Sequence, residues 1–461
     1  MKKSYFKVLS ILFVIVLMLV VVGCGEKVPP GPEPHDCVAG EWIDADERVC
    51  GKRILQEKYC TICNEFMDER YITVQHEYVT ETVEATCTED GYITESCANC
   101  DKAPYTTKLY ATGHVHTEFR ITEEAKKDGI GKKELYCKDC NTVIKETSYA
   151  NNGFRAHGKL SVNEADLVDE NGDKFQLQGL STHGLQWAGY FINDRTIEEI
   201  VNEFGINLLR IAVYTDENGY AYGSDAVREK FDDYVREAVR ITYRLGIYLI
   251  VDWHMVGAQH EEDKNPLTHL ELAKDFFSRM SEEFADYDHI LYEIMNEPNG
   301  TTTWADCKSY AEQIIPCIRK NSDAIILVGN PKWTADLNSV MADPLRGYTN
   351  LMYTYHFYAA DHGNTSQVRT AYDRGFPVFI SEYGFMNSDG DGDINPTAGQ
   401  SWMKVLNERN ISYCAWNISN TKGSASIFVH GTDDIYDVSD SNLKVWGQYL
   451  KAMYRKNAGL K

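Results

Sequence analysis

The chain has 461 residues, too many for one ordinary domain and enough for an α/β barrel of about 250 residues with a smaller module beside it. Its 69 acidic against 46 basic side chains leave a net charge of −23. That balance repels nucleic acid and anionic polymers over a Debye length of about 8 Å, so a neutral substrate suits it better.

Residues 1–23 read as an address rather than as fold. Lys2, Lys3 and Lys7 flank Val8 to Val22, which are apolar except for Ser10. A bilayer span needs roughly 20 residues, so the segment suits a signal-peptide core better than an anchor. It ends Val21-Val22-Gly23-Cys24, which resembles the lipobox of bacterial lipoproteins, where the cysteine is lipidated after cleavage. An uncleaved signal anchor is the competing reading. Either way the rest of the chain is expected outside the cytoplasm, secreted or held at the outer face of the cell membrane through that lipid alone. Residues 25–36, with Pro29, Pro30, Gly31, Pro32 and Pro34, have too little apolar content to fold and read as an extended tether.

Residues 37–150 carry nine of the thirteen cysteines in an internal repeat. Cys50, Cys60, Cys63 and His76 are matched at nearly the same spacing by Cys87, Cys97, Cys100 and His114. A third, degenerate copy keeps Cys137 and Cys140 but has Lys127 where the leading cysteine belongs. Three cysteines and a histidine supply four soft ligands per repeat, which predicts a closed, structural tetrahedral zinc site in each intact copy. Disulfides are the competing use in an exported chain, although C-x-x-C cysteines rarely bridge without strain. The stretch from Glu84 through Gly113-His114 resembles tandem repeats on surface proteins of Gram-positive bacteria and suggests a spacer or wall-binding module.

Residues 155–457 alternate apolar strand patterns with helical ones. The strand runs are Phe175–Leu180, Asn207–Val213, Ile247–Asp252, His289–Met295, Ala324–Val328, Leu351–Tyr355, Val378–Ser381 and Ile411–Ala415; residues 226–240 show the helical period. Eight such units predict a closed (β/α)8 TIM barrel, in which chemistry gathers at the C-terminal strand ends. The polar residues obey that rule. His183 follows the first strand, Arg210 lies in the second, His254 follows the third, Asn296 and Glu297 the fourth, His356 and Tyr358 the sixth, Glu382 the seventh and Trp416 the eighth. Glu297 and Glu382 each close an apolar run, where a carboxylate is too costly to leave unless it is paired or used. Asp252 reads as a structural acceptor. Cys307, Cys317 and Cys414 read as apolar thiols.

These stretches carry a family resemblance. Ser181-Thr-His-Gly-Leu-Gln-Trp187, Asn207-Leu-Leu-Arg-Ile211, Val251-Asp-Trp-His254, Tyr292-Glu-Ile-Met-Asn-Glu-Pro-Asn-Gly300, Tyr353-Thr-Tyr-His-Phe-Tyr358 and Ser381-Glu-Tyr-Gly384 resemble glycoside hydrolase family 5, most closely its bacterial endo-β-1,4-glucanases. The resemblance implies a retaining cellulase, with Glu297 as acid/base and Glu382 as nucleophile. It implies Arg210, His254, Asn296, His356 and Tyr358 as their support, and a β-glucan polysaccharide as substrate. His183, Trp187, Tyr214, Trp333, Trp416 and Lys422 are the substrate-binding candidates, the tryptophans because an indole offers a wide apolar face to a pyranose. No catalytic cofactor and a monomer are expected. Two departures stand out: Tyr383, Gly384, Phe385 and Met386 follow Glu382, and residues 417–426 hold an extra residue before Lys422. Mixed-linkage glucan, xyloglucan or mannan are alternative substrates within the class. A non-catalytic glycan-binding surface lipoprotein is the alternative outside it.

Overall fold

The computed structural model describes residues 34–461, so the signal segment, Cys24 and most of the proline-rich tether lie outside the described residues. Two compact units divide the chain after Gly113.

The first unit contains two three-stranded antiparallel sheets. One comprises Ala39–Asp44, Arg53–Cys60 and Phe66–Thr73; the other comprises Tyr78–Val83, Gly91–Cys97 and Tyr105–Leu109. In each, the C-x-x-C pair forms the turn after the middle strand, and the leading cysteine precedes that strand. Among the described residues of this unit, only Ile54, Cys60 and Cys97 are buried apolar side chains. So small a core cannot hold a fold by burial alone.

The second unit begins with a third sheet of the same kind, Thr117–Glu123, Ile130–Cys137 and Val143–Ala150. Spacing puts a boundary near residue 150, but this sheet belongs with the barrel. Its lysines explain why. Lys127, standing where the other copies have a leading cysteine, donates to Asp169 at 2.8 Å; Lys133 and Lys145 reach Glu198 at 2.8 Å and Glu199 at 3.0 Å on a barrel helix.

Eight parallel strands then close the predicted barrel: β1 (Gln178–Thr182), β2 (Leu208–Tyr214), β3 (Tyr248–His254), β4 (Ile290–Glu293), β5 (Ile326–Val328), β6 (Leu351–Tyr358), β7 (Val378–Gly384) and β8 (Tyr413–Ile418), with β8 paired back to β1. Helices cover the outside. In Asp225–Leu245, Phe231, Val235, Ala238, Val239 and Thr242 turn one apolar stripe to the strands, and Gly246 at φ 74° stops the helix in the left-handed conformation that favours glycine. Helix Trp304–Arg319 carries both Cys307 and Cys317, ten residues and so about 15 Å apart along the axis.

Inside the barrel, Leu208, Ile250, Leu291, Leu327, Met352, Phe379 and Cys414 form a dry lower layer. Side chains alternate across a strand, so Arg210 lies on the same inner face as Leu208, one layer higher. Several strands extend beyond their apolar runs and take in the polar residues themselves: His254 closes β3, Tyr358 closes β6, and β7 continues two residues past Glu382. Glu297 differs from expectation in the other direction. β4 ends at Glu293, so Glu297 lies four residues beyond the strand. Among the described residues no helix is long and apolar enough to cross a membrane.

Candidate active site

Strand β7 places two consecutive polar residues on the barrel interior, which regular alternation forbids. Its register against β6 slips between Phe379 and Glu382, and against β8 between Ile380 and Tyr383. An extra residue of this kind bends a strand and re-aims its side chains. Ser381 and Glu382 therefore both meet groups from other strands: Ser381 Oγ donates to Glu293 Oε1 at 2.6 Å, and Glu382 Oε1 accepts from the Tyr358 hydroxyl at 2.8 Å.

Arg210 organises the interior. Its guanidinium is fully buried and its donors are shared among five partners: Nε to Glu293 at 2.7 Å, Nη1 to Ser381 and Glu382 at 3.2 Å each, and Nη2 to Asn296 Oδ1 at 2.7 Å and Asp252 at 3.0 Å. A buried arginine in an apolar strand requires such acids nearby, since an unpaired charge there costs several kcal/mol. Glu382 feels opposing effects. Burial pushes its carboxyl above the usual carboxylate range and the charge of Glu297 adds to that, while His356, Arg210 and the Tyr358 hydroxyl pull it back. Against its own burial, Glu293 is held below that range by Arg210 and His356.

His254 is the neutral member of the set. Burial, and then the charge of Arg210, drive its pKa well below the ordinary histidine value. Its Nδ1–H donates to Asp252 at 2.6 Å, so Nε2 accepts from Asn296 Nδ2 at 3.2 Å. Asp252 is thus the structural acceptor the sequence implies, and the Asn296 amide is fixed from both ends.

His356 is the opposite case. Ser381 gives its proton to Glu293, so His356 Nε2 donates to Ser381 at 2.9 Å, while Nδ1 donates to Glu297 Oε1 at 2.8 Å. Burial opposes the charge, but the hydrogen bonds toward Glu293 and Glu297 win and raise the pKa to about 10. Four carboxyl groups, Asp252, Glu293, Glu297 and Glu382, thus share two buried cations. The loop bearing Glu297 is pinned on both sides: Glu297 N–H donates to Met255 O at 3.1 Å, Thr334 Oγ1 to Asn296 O at 2.5 Å, and Trp333 N–H to Pro298 O at 3.0 Å.

These groups open into a cleft of about 550 Å³. One wall is aromatic. The rings of Tyr214 and His254 stack at 4.1 Å between centroids, and His254 lies 5.2 Å from Trp416 at 15°. His183 packs on both Tyr214 and Trp416. Burial holds His183 neutral, its pKa lowered to about 4. Trp333 stands at the mouth, 55% exposed, on a turn in which Lys332, Trp333 and Thr334 are all left-handed. Oxygens of Glu297 and Glu382 and a nitrogen of His356 lie within 4.8 Å of one another. The two carboxyl groups thus face each other at close range, as the about 5–5.5 Å of a retaining pair calls for.

Two candidates fall outside this lining. Trp187 is 44% exposed and packs edge-on against Tyr214 and His183 from beside the cleft. Lys422 is exposed on a turn whose carbonyl accepts from Lys444, and the lysine lining the cleft is Lys332 instead. Sequence reasoning gave no role to Glu293 or Ser381. The signal for Glu293 is present: Arg210 in an apolar strand predicts acids on other strands of the barrel interior, and Glu293 supplies one from β4, two strands away.

The cysteine clusters differ from the spacing expectation. Cys50, Cys60, Cys63 and His76 do not share one site. Cys60 and Cys63 gather with His35 and Cys37, and Cys50 and His76 with Cys97 and Cys100, each set having its ligand atoms within 4.8 Å of one another. Nor do Cys97 and Cys100 gather with His114, which in the second unit lies 3.4 Å from the sulfur of Cys140. The reason is the strand in between. Seven steps of about 3.3 Å from Arg53 to Cys60 put the leading cysteine and the C-x-x-C turn at opposite ends of the sheet.

Comparison with known proteins agrees with this geometry. Residues 168–422 match the cellulase family, glycosyl hydrolase family 5. Endoglucanase A of Butyrivibrio fibrisolvens is 40% identical over 64% of this chain and 68% of its own length. An endoglucanase of Clostridium saccharobutylicum is 36% identical over 64% of each. The catalytic domain of Thermobifida fusca endoglucanase Cel5A, crystallised with cellotetraose, is 32% identical with a TM-score of 0.61, over 66% of this chain and 99% of that one. With a closed eight-stranded barrel and two glutamates facing each other at its C-terminal end, the chain belongs to the cellulases of glycosyl hydrolase family 5 and is a retaining glycoside hydrolase.

Proposed function

We propose that the protein is an exported endo-β-1,4-glucanase that cuts internal bonds of cellulose-type glucans, with Glu382 as nucleophile and Glu297 as acid/base. The observation that carries this is the asymmetry of the pair. Glu382 accepts from Arg210 and Tyr358, so its charge is fixed and aimed, whereas Glu297 lies on a hydrogen bond to a titratable nitrogen of His356.

In the first step a Glu382 oxygen attacks the anomeric carbon as its bond to the leaving sugar oxygen breaks, and Glu297 gives that oxygen a proton. In the second, Glu297 takes a proton from water, the water oxygen attacks the same carbon, and Glu382 departs as carboxylate. Two inversions give retention. The flat wall of Tyr214, His254 and Trp416 suits the apolar face of a pyranose, and an open cleft suits the interior of a long chain. Asn296, its amide fixed by Arg210 and His254, is the candidate to read a sugar 2-hydroxyl.

Export through residues 1–23 and lipidation of Cys24 follow from the sequence pattern, and a structural zinc role for the cysteine clusters from their donor set. The test is hydrolysis of carboxymethylcellulose, mixed-linkage glucan, xyloglucan and mannan side by side. The expected result is fastest release of reducing ends from the β-1,4-glucan with an early fall in viscosity, and a β-anomer as first product. Equal or greater rates on mannan would overturn the substrate, and an α-anomer first would overturn the mechanism.

A further inference from the structure

We propose that zinc in the first unit is held by ligands that the strand ends bring together rather than by the cysteines and histidine of one repeat. His35, Cys37, Cys60 and Cys63 form one site, and Cys50, His76, Cys97 and Cys100 form a second that staples the first sheet to the next. This rests on the zinc reading above and adds which residues share an ion and what the ion does.

Strand direction dictates the pairing. The chain runs up Arg53–Cys60, turns at the C-x-x-C pair and returns along Phe66–Thr73, with Arg53 opposite Thr73. His76 therefore arrives back at the Cys50 end, where Gly51 N–H donates to Val74 O at 2.8 Å. The next strand begins at Tyr78, which pairs with Cys97. So His76 is at once the tail of one sheet and the head of the next, and its neighbours are the leading cysteine behind it and the C-x-x-C turn ahead. The same logic at the start of the chain puts His35 and Cys37, just before Ala39, beside Cys60, with which Ala39 is paired.

The distances fit a shared ion. Zn–S bonds of about 2.3 Å and Zn–N bonds of about 2.0–2.1 Å in a tetrahedron leave about 3.8 Å between sulfurs and about 3.5 Å between sulfur and nitrogen. The sulfur pairs Cys50–Cys97 and Cys37–Cys63 stand 3.7 and 4.0 Å apart. Cys100 lies 3.4 Å from His76 Nδ1, and Cys60 lies 3.6 Å from His35 Nε2. Each sulfur pair is far beyond the about 2.05 Å of a disulfide. Both sets have three cysteines and one histidine, the donor set of a closed site with no position for substrate. With three buried apolar side chains among the described residues of the unit, the ions take the place of a core.

The experiment measures zinc per chain by elemental analysis in the full-length protein and in paired variants, each removing half of a ligand set. C50S/H76A and C97S/C100S should each lose one equivalent, and the two combined should still lose only one. C50S/H76A combined with C60S/C63S should lose two. The reverse pattern, two lost in the first combination and one in the second, would overturn the pairing while leaving zinc in place. No zinc in the parent chain would overturn the zinc reading itself.

Discussion

The barrel and the cysteine sheets place their functional groups by opposite rules. In the barrel, residues as far apart in sequence as Arg210 and Glu382, 172 positions, come to 3.2 Å because eight parallel strands end on one face. In the sheets, Cys50 and Cys60 are ten positions apart and part company because a strand lies between them. Proximity in sequence misleads in one region, and distance misleads in the other. The energetics differ as well. The barrel surrounds its polar groups with a large apolar core and can hold four carboxyls on two cations; the described residues of the first unit have almost no core, and the proposed zinc ligands would take its place.

The largest expected effect breaks that comparison directly. If metal ligation supplies the folding energy of the first unit, exhaustive chelation should unfold it, since structural zinc is worth about 10–16 kcal/mol. Limited proteolysis should then release peptides from residues 34–113 while hydrolysis of a soluble glucan is unchanged, because the barrel's groups are held by hydrogen bonds to one another. A chelated first unit that stays protected, or activity lost with the metal, would show that the two regions are not built by different means.

Next come the two acids. Glu382→Ala should lower turnover of every substrate by about 10⁶-fold, the scale seen when a covalent nucleophile is removed. Glu297→Ala should cost about 10²–10⁴-fold on polysaccharide, whose departing alkoxide needs a proton, and far less on an aryl glycoside with an acidic phenol. The intermediate should accumulate on that variant, with a burst of phenol. Azide should release it as a β-glycosyl azide; from the Glu382 variant the product, if any, is the α-azide. The opposite assignment of azide products would exchange the two roles.

Much of this was legible before any coordinates, for physical reasons. Eight apolar runs at regular intervals admit few architectures, and polar residues at strand ends are expensive enough to betray a use. Hence Glu297, Glu382, Arg210, His356 and Tyr358 could be named. Three things were not legible. The bulge that turns both Ser381 and Glu382 inward leaves no mark in the apolar pattern. Lys422 is a substrate-binding candidate by its position in a motif with an extra residue before it, and the structure leaves its side chain exposed on a turn outside the cleft lining. The ligand sets of the sheets could not be read from spacing, because spacing does not say which residues a strand will hold apart. Lys127 is instructive: in place of a leading cysteine it makes an ion pair to Asp169, with His157 at 3.0 Å from the same carboxylate, where the third sheet meets the barrel.

A smaller effect separates burial from ligation by pH. His289 is buried in the barrel, its Nε2 3.0 Å from the Thr242 hydroxyl, and burial lowers its pKa from 6.5 to about 4. Between those values the unfolded chain binds the proton and the folded chain does not, so barrel stability should rise with pH from about 4 to 6.5 and be flat above. The slope from one such group is about 1.4 kcal/mol per pH unit, or about 3 kcal/mol over the window. His289→Gln should remove that share of the slope in urea titrations at pH 4.5 and 6.5. A slope unchanged by the substitution would mean that His289 gains its proton without unfolding.

The smallest effect concerns one hydroxyl and tests whether the barrel tunes its nucleophile by hydrogen bonds as well as by charge. Tyr358 donates to Glu382 Oε1 at 2.8 Å, and this bond is one of the influences that lower a carboxyl pKa raised chiefly by burial and by Glu297. Hydrolysis needs Glu382 ionised, so kcat/KM should fall on the acid side through a pKa above the ordinary carboxylate value. Tyr358→Phe removes a donor to the charged form while keeping the ring. The pKa should therefore rise further, and the acid limb of kcat/KM should move to higher pH by about one unit, since a hydrogen bond to a charged group is worth about 1.5–3 kcal/mol and one unit is about 1.4. The Arg210 contact to Oε2 survives the change, which is why the shift should stop there rather than abolish the ionised form. Rate lost equally at every pH would instead make Tyr358 a contact to the sugar alone, and leave Arg210 and His356 as the groups that hold Glu382 ready.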